Sequence, residues 1–199
     1  MGTMSMEEKV LILVRHAESE KNTINLLTSD INGWPLTTNG IQMAEQAANV
    51  LKALPEIDAF YTSPVLRAVQ TADILGRYLD IDPASVDYRL KERAWGSLEQ
   101  RSEPEDPTWK LNGAYGHEQW INLTDRMRSF MTDLNSGLTL AVSHGDNLSA
   151  ACDVIDKKGE AACLYCPPFC HFAIIDLKQM EIVAKDTNEL TDEFLSKFD

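Results

Sequence analysis

Residues 11–22 read Leu11-Ile12-Leu13-Val14-Arg15-His16-Ala17-Glu18-Ser19-Glu20-Lys21-Asn22, and this stretch decides the fold class of the chain. Four apolar residues in a row, with branched side chains among them, predict a strand that is buried on both faces. The apolar run ends at Arg15-His16, so a cation and an imidazole lie where a core strand gives way to a loop. Open α/β sheets bind their ligands at the carboxyl ends of strands. On this stretch alone, a ligand site and a strand that ends in a surface Arg and a structural His both remain open.

Composition narrows the class of protein. The chain has 199 residues, of which 44% are hydrophobic and 25% are charged, as in an ordinary globular protein with one core. Its formal net charge of -13 argues against nonspecific binding to nucleic acid or to an anionic membrane, because either needs a basic face. No apolar run approaches the length of a membrane span. Residues 1–8 lack the pattern of a signal peptide and are expected to be a flexible leader, so we expect a cytoplasmic location.

Hydrophobic periodicity predicts one α/β domain over residues 1–199. Strands are predicted at residues 9–14, 58–62, 86–88, 138–142, 169–177 and 181–185. Helices are predicted from residue 37 or 38 to Pro55, after Ser63, over 117–134 and over 146–155. Ser63 is expected to cap the second helix, with Pro64 at its first position and Arg67 in its first turn.

Two further segments are interpreted from their composition. Between residues 89 and 116 the periodicity is lost, and the Gly, Pro and charged residues predict a lid insertion over the pocket. Its aromatic residues Trp95, Trp109 and Tyr115 suggest an apolar surface for a ring-bearing substrate. In the tail, residues 188–199, four apolar side chains share one helical face, which is expected to dock on the domain itself; a homodimer contact is the alternative. They are Leu190, Phe194, Leu195 and Phe198.

The four cysteines allow two interpretations. Cys163, Cys166 and Cys170 have the close spacing of metal ligands, and Cys152 could supply a fourth sulfur for a tetrahedral zinc site. Alternatively Cys170 belongs to the predicted strand at 169–177, and Cys163 and Cys166 lie in the turn before it, because free cysteine commonly behaves as a small buried hydrophobic residue. The second interpretation is favoured, and no metal is expected.

Four more segments follow the first in order, and together the five resemble the motifs of the histidine phosphatase (phosphoglycerate mutase-like) superfamily. They are Gly33-Trp34-Pro35-Leu36-Thr37 with Gly40, Ser63-Pro64-Val65-Leu66-Arg67-Ala68-Val69-Gln70-Thr71-Ala72, Leu90-Lys91-Glu92-Arg93-Ala94-Trp95-Gly96, and Ser143-His144-Gly145. Ala17 stands in place of the usual Gly. The resemblance runs from Leu11 to about Ala151. It implies a three-layer α/β sandwich, with helices on both faces of a mostly parallel central sheet, and chemistry that requires no cofactor or metal.

The resemblance also implies a set of residues for phosphoryl transfer. His16 would be the nucleophile, because a neutral imidazole can attack phosphorus and form a phosphohistidine. Arg15 and Arg67 would bind the non-bridging oxygens, and His144 would donate a further hydrogen bond to them. The implied phosphate-binding residues are Arg15, Asn22, Arg67, His144 and Gly145.

Glu92 matches the family's acidic residue and is the candidate proton donor and acceptor. Burial under the lid is expected to raise its pKa by desolvation, which would suit an acid that protonates the leaving oxygen. Asp146, two residues after His144, is the alternative, because a related branch of the superfamily carries its acid there.

Three functions remain open at this point. The favoured one is a metal-independent phosphatase that acts on a small phosphorylated metabolite through phosphohistidine. A cofactor-dependent phosphoglycerate mutase is the alternative, but the lid offers only Arg93, Arg101 and Lys110 among several acidic residues for a second anionic group. A non-catalytic phosphate-binding protein is disfavoured because every catalytic residue type is present at its motif position. The partner in each case is a small phosphate ester.

Overall fold

A mixed sheet of six strands forms the middle of the protein in a computed structural model that describes residues 8–135 and 137–198. Its strands lie in the order β4-β3-β6-β1-β7-β8. The strands β4, β3, β6 and β1 are mutually parallel, while β7 and β8 extend the sheet in antiparallel pairs. Along the described chain the strands are β1 (Lys9–Arg15), β2 (Leu26–Leu27), β3 (Ala59–Thr62), β4 (Ser85–Val86), β5 (Arg101–Ser102), β6 (Gly137–Ser143), β7 (Phe172–Asp176) and β8 (Glu181–Thr187).

Helices cover both faces of this sheet, which confirms the predicted three-layer sandwich. Those with four or more residues are α1 (Glu20–Thr23), α2 (Thr38–Leu51), α3 (Leu66–Leu79), α4 (Trp109–Asn112), α5 (Trp120–Asp133), α6 (Gly145–Asp156), α7 (Glu160–Cys163) and α8 (Asp192–Leu195). Helices α2, α3 and α8 pack on one face, and α5 and α6 pack on the other. No helix in the described ranges is both long enough and apolar enough to span a membrane.

The central strand β1 divides the apolar core into two layers. Val10, Ile12 and Val14 point to the α2 and α3 side, whereas Leu11 and Leu13 point to the α5 and α6 side. This alternation follows from the two-residue repeat of a strand, and burial on both faces explains why the sequence reads as a continuous apolar run. Burial of each such side chain contributes about 1.5–3 kcal/mol.

The start of α3 differs from the prediction. The helix begins at Leu66 with Val65 as its N-cap residue, so Ser63 does not cap it. The Ser63 hydroxyl accepts a hydrogen bond from the Val65 backbone N–H at 3.3 Å and turns toward His144 instead. Arg67 nevertheless lies in the first turn, as predicted.

The segment predicted to be a lid has a small core of its own. Strands β2 and β5 pair in a second, two-stranded sheet, and Trp95 and Trp109 pack with Leu27, Leu98 and Tyr115. Both tryptophans are 3% exposed. The prediction that these aromatic residues form a substrate surface is therefore wrong, because their area is used to hold the segment together.

The predictions for the two chain ends have different outcomes. Residues 1–7 of the predicted leader lie outside the described residues. In the tail, Phe194 is buried, and Leu190, Leu195 and Phe198 pack against the α2 and α3 side of the core. The apolar face of the tail therefore docks on the domain itself, as expected, although α8 spans only Asp192–Leu195.

A close contact fixes α2 against the loop that follows β1. A Cβ atom at Gly40, the third residue of α2, would overlap the backbone carbonyl oxygen of Glu18. The Thr37 backbone N–H donates to the same carbonyl at 3.1 Å. The Glu18 carboxylate accepts from the Thr37 hydroxyl at 2.7 Å, so side chain and main chain both tie this loop to the helix.

We predict that Gly40→Ala lowers the free energy of unfolding by about 1–3 kcal/mol, because the added methyl forces α2 away from the loop. Gly76→Ala in α3 is the matched control. Its Cβ would lie 3.4 Å from the Phe60 ring, an ordinary contact, and alanine favours a helix interior by roughly 0.5–1 kcal/mol. Urea denaturation of both variants checks this, and equal effects of the two substitutions would contradict the packing argument.

Candidate active site

The candidate site lies at the sheet edge where the neighbouring strands β3, β6 and β1 end. Strand β1 leads into His16, whose backbone N–H donates to the Ser143 carbonyl of β6 at 2.9 Å. His144 follows as the N-cap residue of α6, and Arg67 is the second residue of α3. Parallel strands present their carboxyl ends at one edge, so these elements bring the three side chains into one buried cluster. His16 is 1% exposed, and Arg67 and His144 are 0% exposed.

His16 is held in the tautomer that a nucleophile needs. Its Nδ1 lies 2.7 Å from the carbonyl oxygen of Ala17. A carbonyl can only accept a hydrogen bond, so Nδ1 carries the proton and Nε2 keeps its lone pair. Nε2 accepts a hydrogen bond from Arg67 Nε at 3.2 Å. Burial, followed by the charges of Arg67 and its neighbours, lowers the pKa of His16 well below 6.5, so its imidazole is neutral at pH 7.

Arg67 connects the polar groups of the pocket. Besides His16, it donates from Nη2 to Glu92 Oε2 at 3.1 Å and to the Thr28 carbonyl at 3.1 Å. Its Nη1 is buried and has no hydrogen-bond partner in the described part of the chain. A buried unpaired donor is costly, so this nitrogen is suited to an anion that enters beside His16.

Arg15 supplies a second donor of this kind. Its guanidinium lies over the ring of Phe169, with Cζ 4.0 Å from the ring centroid, and its Nη1 donates to the Pro167 carbonyl. These contacts fix the planar group, while its buried Nε has no partner among residues 8–135 and 137–198. Two unpaired guanidinium donors in one pocket fit a phosphate group, whose oxygens accept hydrogen bonds in several directions.

His144 bridges Glu92 and Ser63. Glu92 Oε2 lies 3.3 Å from His144 Nδ1, and Ser63 Oγ lies 2.8 Å from Nε2. Burial is the main cause that lowers the pKa of His144 to about 4, so the ring is neutral. Its Nδ1–H then donates to the carboxylate, and the Ser63 hydroxyl donates to Nε2. Ser63 was assigned only a capping role from the sequence.

The expectation of a raised pKa for Glu92 is wrong. Burial does raise the pKa of this carboxyl, but His144, Arg67 and Lys21 together hold it well below 4.5. Glu92 is therefore ionised in this structure. The sequence identified the residue but did not reveal the charges that surround it.

Asp146, the alternative acid, faces other cations. Its Oδ2 lies 3.1 Å from Arg93 Nη1, and its Oδ1 lies 3.5 Å from Lys110 Nζ. Both carboxylate oxygens are thus engaged outside the His16 cluster. Glu92, by contrast, contacts Arg67 and His144 directly, and this geometry favours it as the acid.

Asn22 and Gly145 are positioned in ways that suit their predicted roles. Asn22 Oδ1 accepts from the backbone N–H and the hydroxyl of Ser19 at 3.0 and 2.8 Å, which leaves the amide nitrogen to act as a donor. Gly145 is the first residue of α6, and a Cβ there would overlap Cys166 Sγ and lie 3.5 Å from Arg15 Cζ. Phosphate binding by either residue stays a prediction.

One buried side chain of this region was missed by sequence reasoning. Lys21 is 7% exposed, and its charge acts on Glu92, Arg67 and Arg15. The only sequence signal was a lysine inside a motif whose other polar residues had assigned roles. Spacing did not indicate that its side chain turns inward.

The cluster also has the residue types of a metal site. One group of three potential ligands in the described ranges lies close enough to hold an ion: His16, Glu92 and His144, with ligand atoms within 4.8 Å of one another. Arg67 contacts all three residues, and its Nη2 lies 3.5 Å from His144 Nδ1. A guanidinium already provides the positive charge there, so the arrangement fits an anion better than a cation.

The described cysteines do not form such a group. Cys163 ends α7 and is buried beside Arg93 Nη1 at 3.5 Å. Cys170 is buried but lies before β7, outside the strand predicted to contain it, and Cys166 is exposed. Burial raises the pKa of Cys170 to about 12, and that of Cys152 also to about 12, as in inert core thiols.

Comparison with known proteins gives a family. The model of the histidine phosphatase superfamily (branch 1) matches residues 11–188. A 2,3-bisphosphoglycerate-dependent phosphoglycerate mutase of Thermoplasma acidophilum is 33% identical over 164 residues, which cover 76% of this chain and 78% of the relative. The mutase of Nitrobacter winogradskyi is 38% identical over 181 residues, covering 76% and 83%. The chain spans less than half, 45%, of the mutase of Rhodococcus opacus, at 36% identity over 58% of this chain.

Solved structures share the fold. The alpha-ribazole phosphatase of Shigella flexneri superposes with a TM-score of 0.77 at 22% identity, over 92% of this chain and 98% of that one. A mycobacterial glucosyl-3-phosphoglycerate phosphatase, solved with VO3, gives a TM-score of 0.70 at 20% identity, over 84% and 92%. At these identities the likeness concerns the fold alone.

Proposed function

The chain belongs to branch 1 of the histidine phosphatase superfamily, and from this premise we propose that it is a metal-independent phosphomonoester hydrolase. One observation carries the proposal: His16 Nε2 keeps a lone pair beside two buried guanidinium donors that have no partner among the described residues. Its substrate is a small phosphorylated metabolite. The intermediate is a phosphohistidine at His16.

In the first step the phosphoryl group enters beside His16. The free donors of Arg67 and Arg15 bind its non-bridging oxygens, and His144 Nδ1–H can turn from Glu92 to a third oxygen. His16 Nε2 gives up its hydrogen bond from Arg67 and attacks phosphorus. A bond from Nε2 to phosphorus forms, and the bond from phosphorus to the leaving oxygen breaks.

The leaving oxygen needs a proton, and Glu92 supplies it after the substrate has bound. The carboxyl is ionised in this structure because His144, Arg67 and Lys21 stabilise its charge. A phosphate dianion that binds the same donors adds negative charge beside Glu92 and raises its pKa. The carboxyl then takes a proton from solvent and passes it to the leaving oxygen.

In the second step water attacks the phosphohistidine. Glu92, now a carboxylate, accepts a proton from the water, the bond between Nε2 and phosphorus breaks, and inorganic phosphate leaves. The proton on His16 Nδ1 stays bonded to the Ala17 carbonyl throughout, so Nε2 returns to its starting state.

A phosphoglycerate mutase is the second candidate, favoured by the names of the Thermoplasma and Nitrobacter relatives. A mutase must bind a second anionic group of its substrate. The buried lid cations Arg93 and Lys110 are both paired with Asp146, and Arg93 also donates to the Glu118 and Lys110 carbonyls at 2.8 and 3.2 Å. Arg101, the third cation considered from the sequence, is exposed on β5. The pairing of the two buried cations favours hydrolysis over mutase chemistry.

We predict that the wild type hydrolyses an aryl phosphate in the presence of EDTA and that His16→Ala abolishes this turnover. His171→Ala is the matched control, because that imidazole bonds the Asp186 carbonyl at 2.8 Å outside the pocket and should leave the rate unchanged. Turnover lost in EDTA, or retained in His16→Ala, would contradict the proposal. A wild type that is inactive here, but converts 3-phosphoglycerate when bisphosphoglycerate is present, would establish the mutase instead.

A second prediction concerns the acid. Glu92→Gln should slow hydrolysis of alkyl phosphates by roughly 10²–10⁴-fold, because a poor leaving oxygen needs the proton. Aryl phosphates with acidic leaving groups should lose far less in kcat. Leaving-group series for wild type and variant measure the difference. Equal slowing of both ester classes would remove Glu92 from this role and shift it to Asp146.

A further inference from the structure

Lys21 is a largely buried lysine whose ammonium has no partner among the described residues. It is the second residue of α1 and is 7% exposed. The other buried lysine of the described chain, Lys110, pairs with Asp146 at 3.5 Å and with Glu103 at 3.7 Å. The Lys21 ammonium makes no hydrogen bond and no ion pair within 4.0 Å among the described residues. The Lys21 nitrogen is not among the fully enclosed unpaired atoms of the described chain, so a largely buried side chain brings its ammonium to open space where a ligand can meet it.

The groups that interact electrostatically with Lys21 belong to the candidate site or lie beside it. Its most favourable interaction is with Glu92, followed by repulsion from Arg67 and Arg15, and it also acts on the Cys166 thiol. The same charge contributes to the lowered pKa values of His16 and His144. Lys21 therefore lies within electrostatic range of the groups that form the phosphate pocket.

Lys21 adds a positive charge to a cluster that holds two guanidinium groups and the Glu92 carboxylate, while His16 and His144 are neutral. A phosphomonoester dianion carries two negative charges, so a further cation strengthens the attraction of the pocket for it.

We propose that Lys21 is a phosphate-binding residue, whose ammonium donates to a non-bridging oxygen of the transferring phosphoryl group. The inference deepens the proposed function, because it assigns another group to the same pocket and a dianion as the bound species. The competing assignment is that Lys21 binds a second anionic group on the leaving part of the substrate.

The protonation of Lys21 gives this contact a pH dependence. Burial lowers the pKa of Lys21 from 10.5 to about 8, against the opposing effect of Glu92. In the free protein the ammonium loses its proton as pH rises through about 8. A bound dianion favours the charged form, so anion affinity should fall above that pH. Arg15, Arg67, Cys166, His16 and His144 are the other titratable groups that act on this lysine or are acted on by it.

Isothermal calorimetry with inorganic phosphate tests the proposal without any turnover. Lys21→Met keeps the apolar stem and should weaken phosphate binding roughly 10- to 100-fold, the effect of losing one hydrogen bond to a charged group. Lys21→Arg should restore part of the loss. Lys52→Met, at an exposed position of the same charge, is the matched control and should bind as the wild type does.

Sulfate supplies a second measurement, because it stays a dianion over the whole pH range used. Its affinity for the wild type should fall above pH 8, and this fall should disappear in Lys21→Met and move to higher pH in Lys21→Arg. The wild-type profile needs no variant, so it still tests the proposal if a substitution impairs folding.

Two results would overturn the inference. Phosphate binding by Lys21→Met at wild-type strength removes Lys21 from the phosphoryl group. A loss confined to esters that carry a second anion, with inorganic phosphate unaffected, assigns the lysine to the leaving part. A wild type that binds phosphate but hydrolyses no ester would refute the proposed function and leave the Lys21 contact standing.

Discussion

The hydrogen bonds of Arg67 are the constraint on which the site depends. This one guanidinium, 0% exposed, contacts the lone pair of His16, the carboxylate of Glu92 and the carbonyl of Thr28. It reaches them because α3 begins at Leu66, shortly after β3 ends at Thr62, at the edge where β6 and β1 also end. Removing this group would break the buried ion pair with Glu92, a change that typically costs about 3–5 kcal/mol.

The charge of Arg67 also contributes to the different protonation states of His16 and Glu92. Burial and the nearby cations work together on His16, so its imidazole stays neutral and can attack phosphorus. They oppose each other on Glu92, where the cations outweigh burial and keep the carboxyl ionised. In the proposed mechanism, substrate charge reverses that balance, so that the bound dianion itself prepares Glu92 to protonate the leaving oxygen.

The sequence was sufficient for the six-stranded sheet, apart from some strand bounds, and for the residues at its strand ends, but the small sheet of β2 and β5 was not predicted. The apolar run before Arg15 and the run before Ser143 are buried on both faces, and only a central strand produces that pattern. Motif order then identified His16, Arg67, Glu92 and His144 as one site, although nothing in their spacing could have brought them together. The aromatic residues of the segment predicted to be a lid were misinterpreted, because an aromatic residue gives the same sequence signal whether it lines a pocket or fills a small core.

Electrostatic properties were the part that sequence could not supply. The direction of the Glu92 pKa depends on which of several buried charges lies nearest, and this is set by tertiary packing. Ser63 left its expected capping role because the hydroxyl turns to the His144 ring, and Lys21 turned inward from a helix of only four residues. Each of these two side chains has more than one possible orientation, and the surrounding fold determines which one it adopts.

The central claim is that the phosphoryl group passes through His16 Nε2. Rapid quenching of the enzyme with a ³²P-labelled phosphomonoester, followed by peptide mass spectrometry, tests this most directly. The account predicts transient label on His16 that is stable in alkali and lost in acid, as expected for a phosphoramidate. Acid-stable label on another residue, or turnover with no label at any time point, would contradict it.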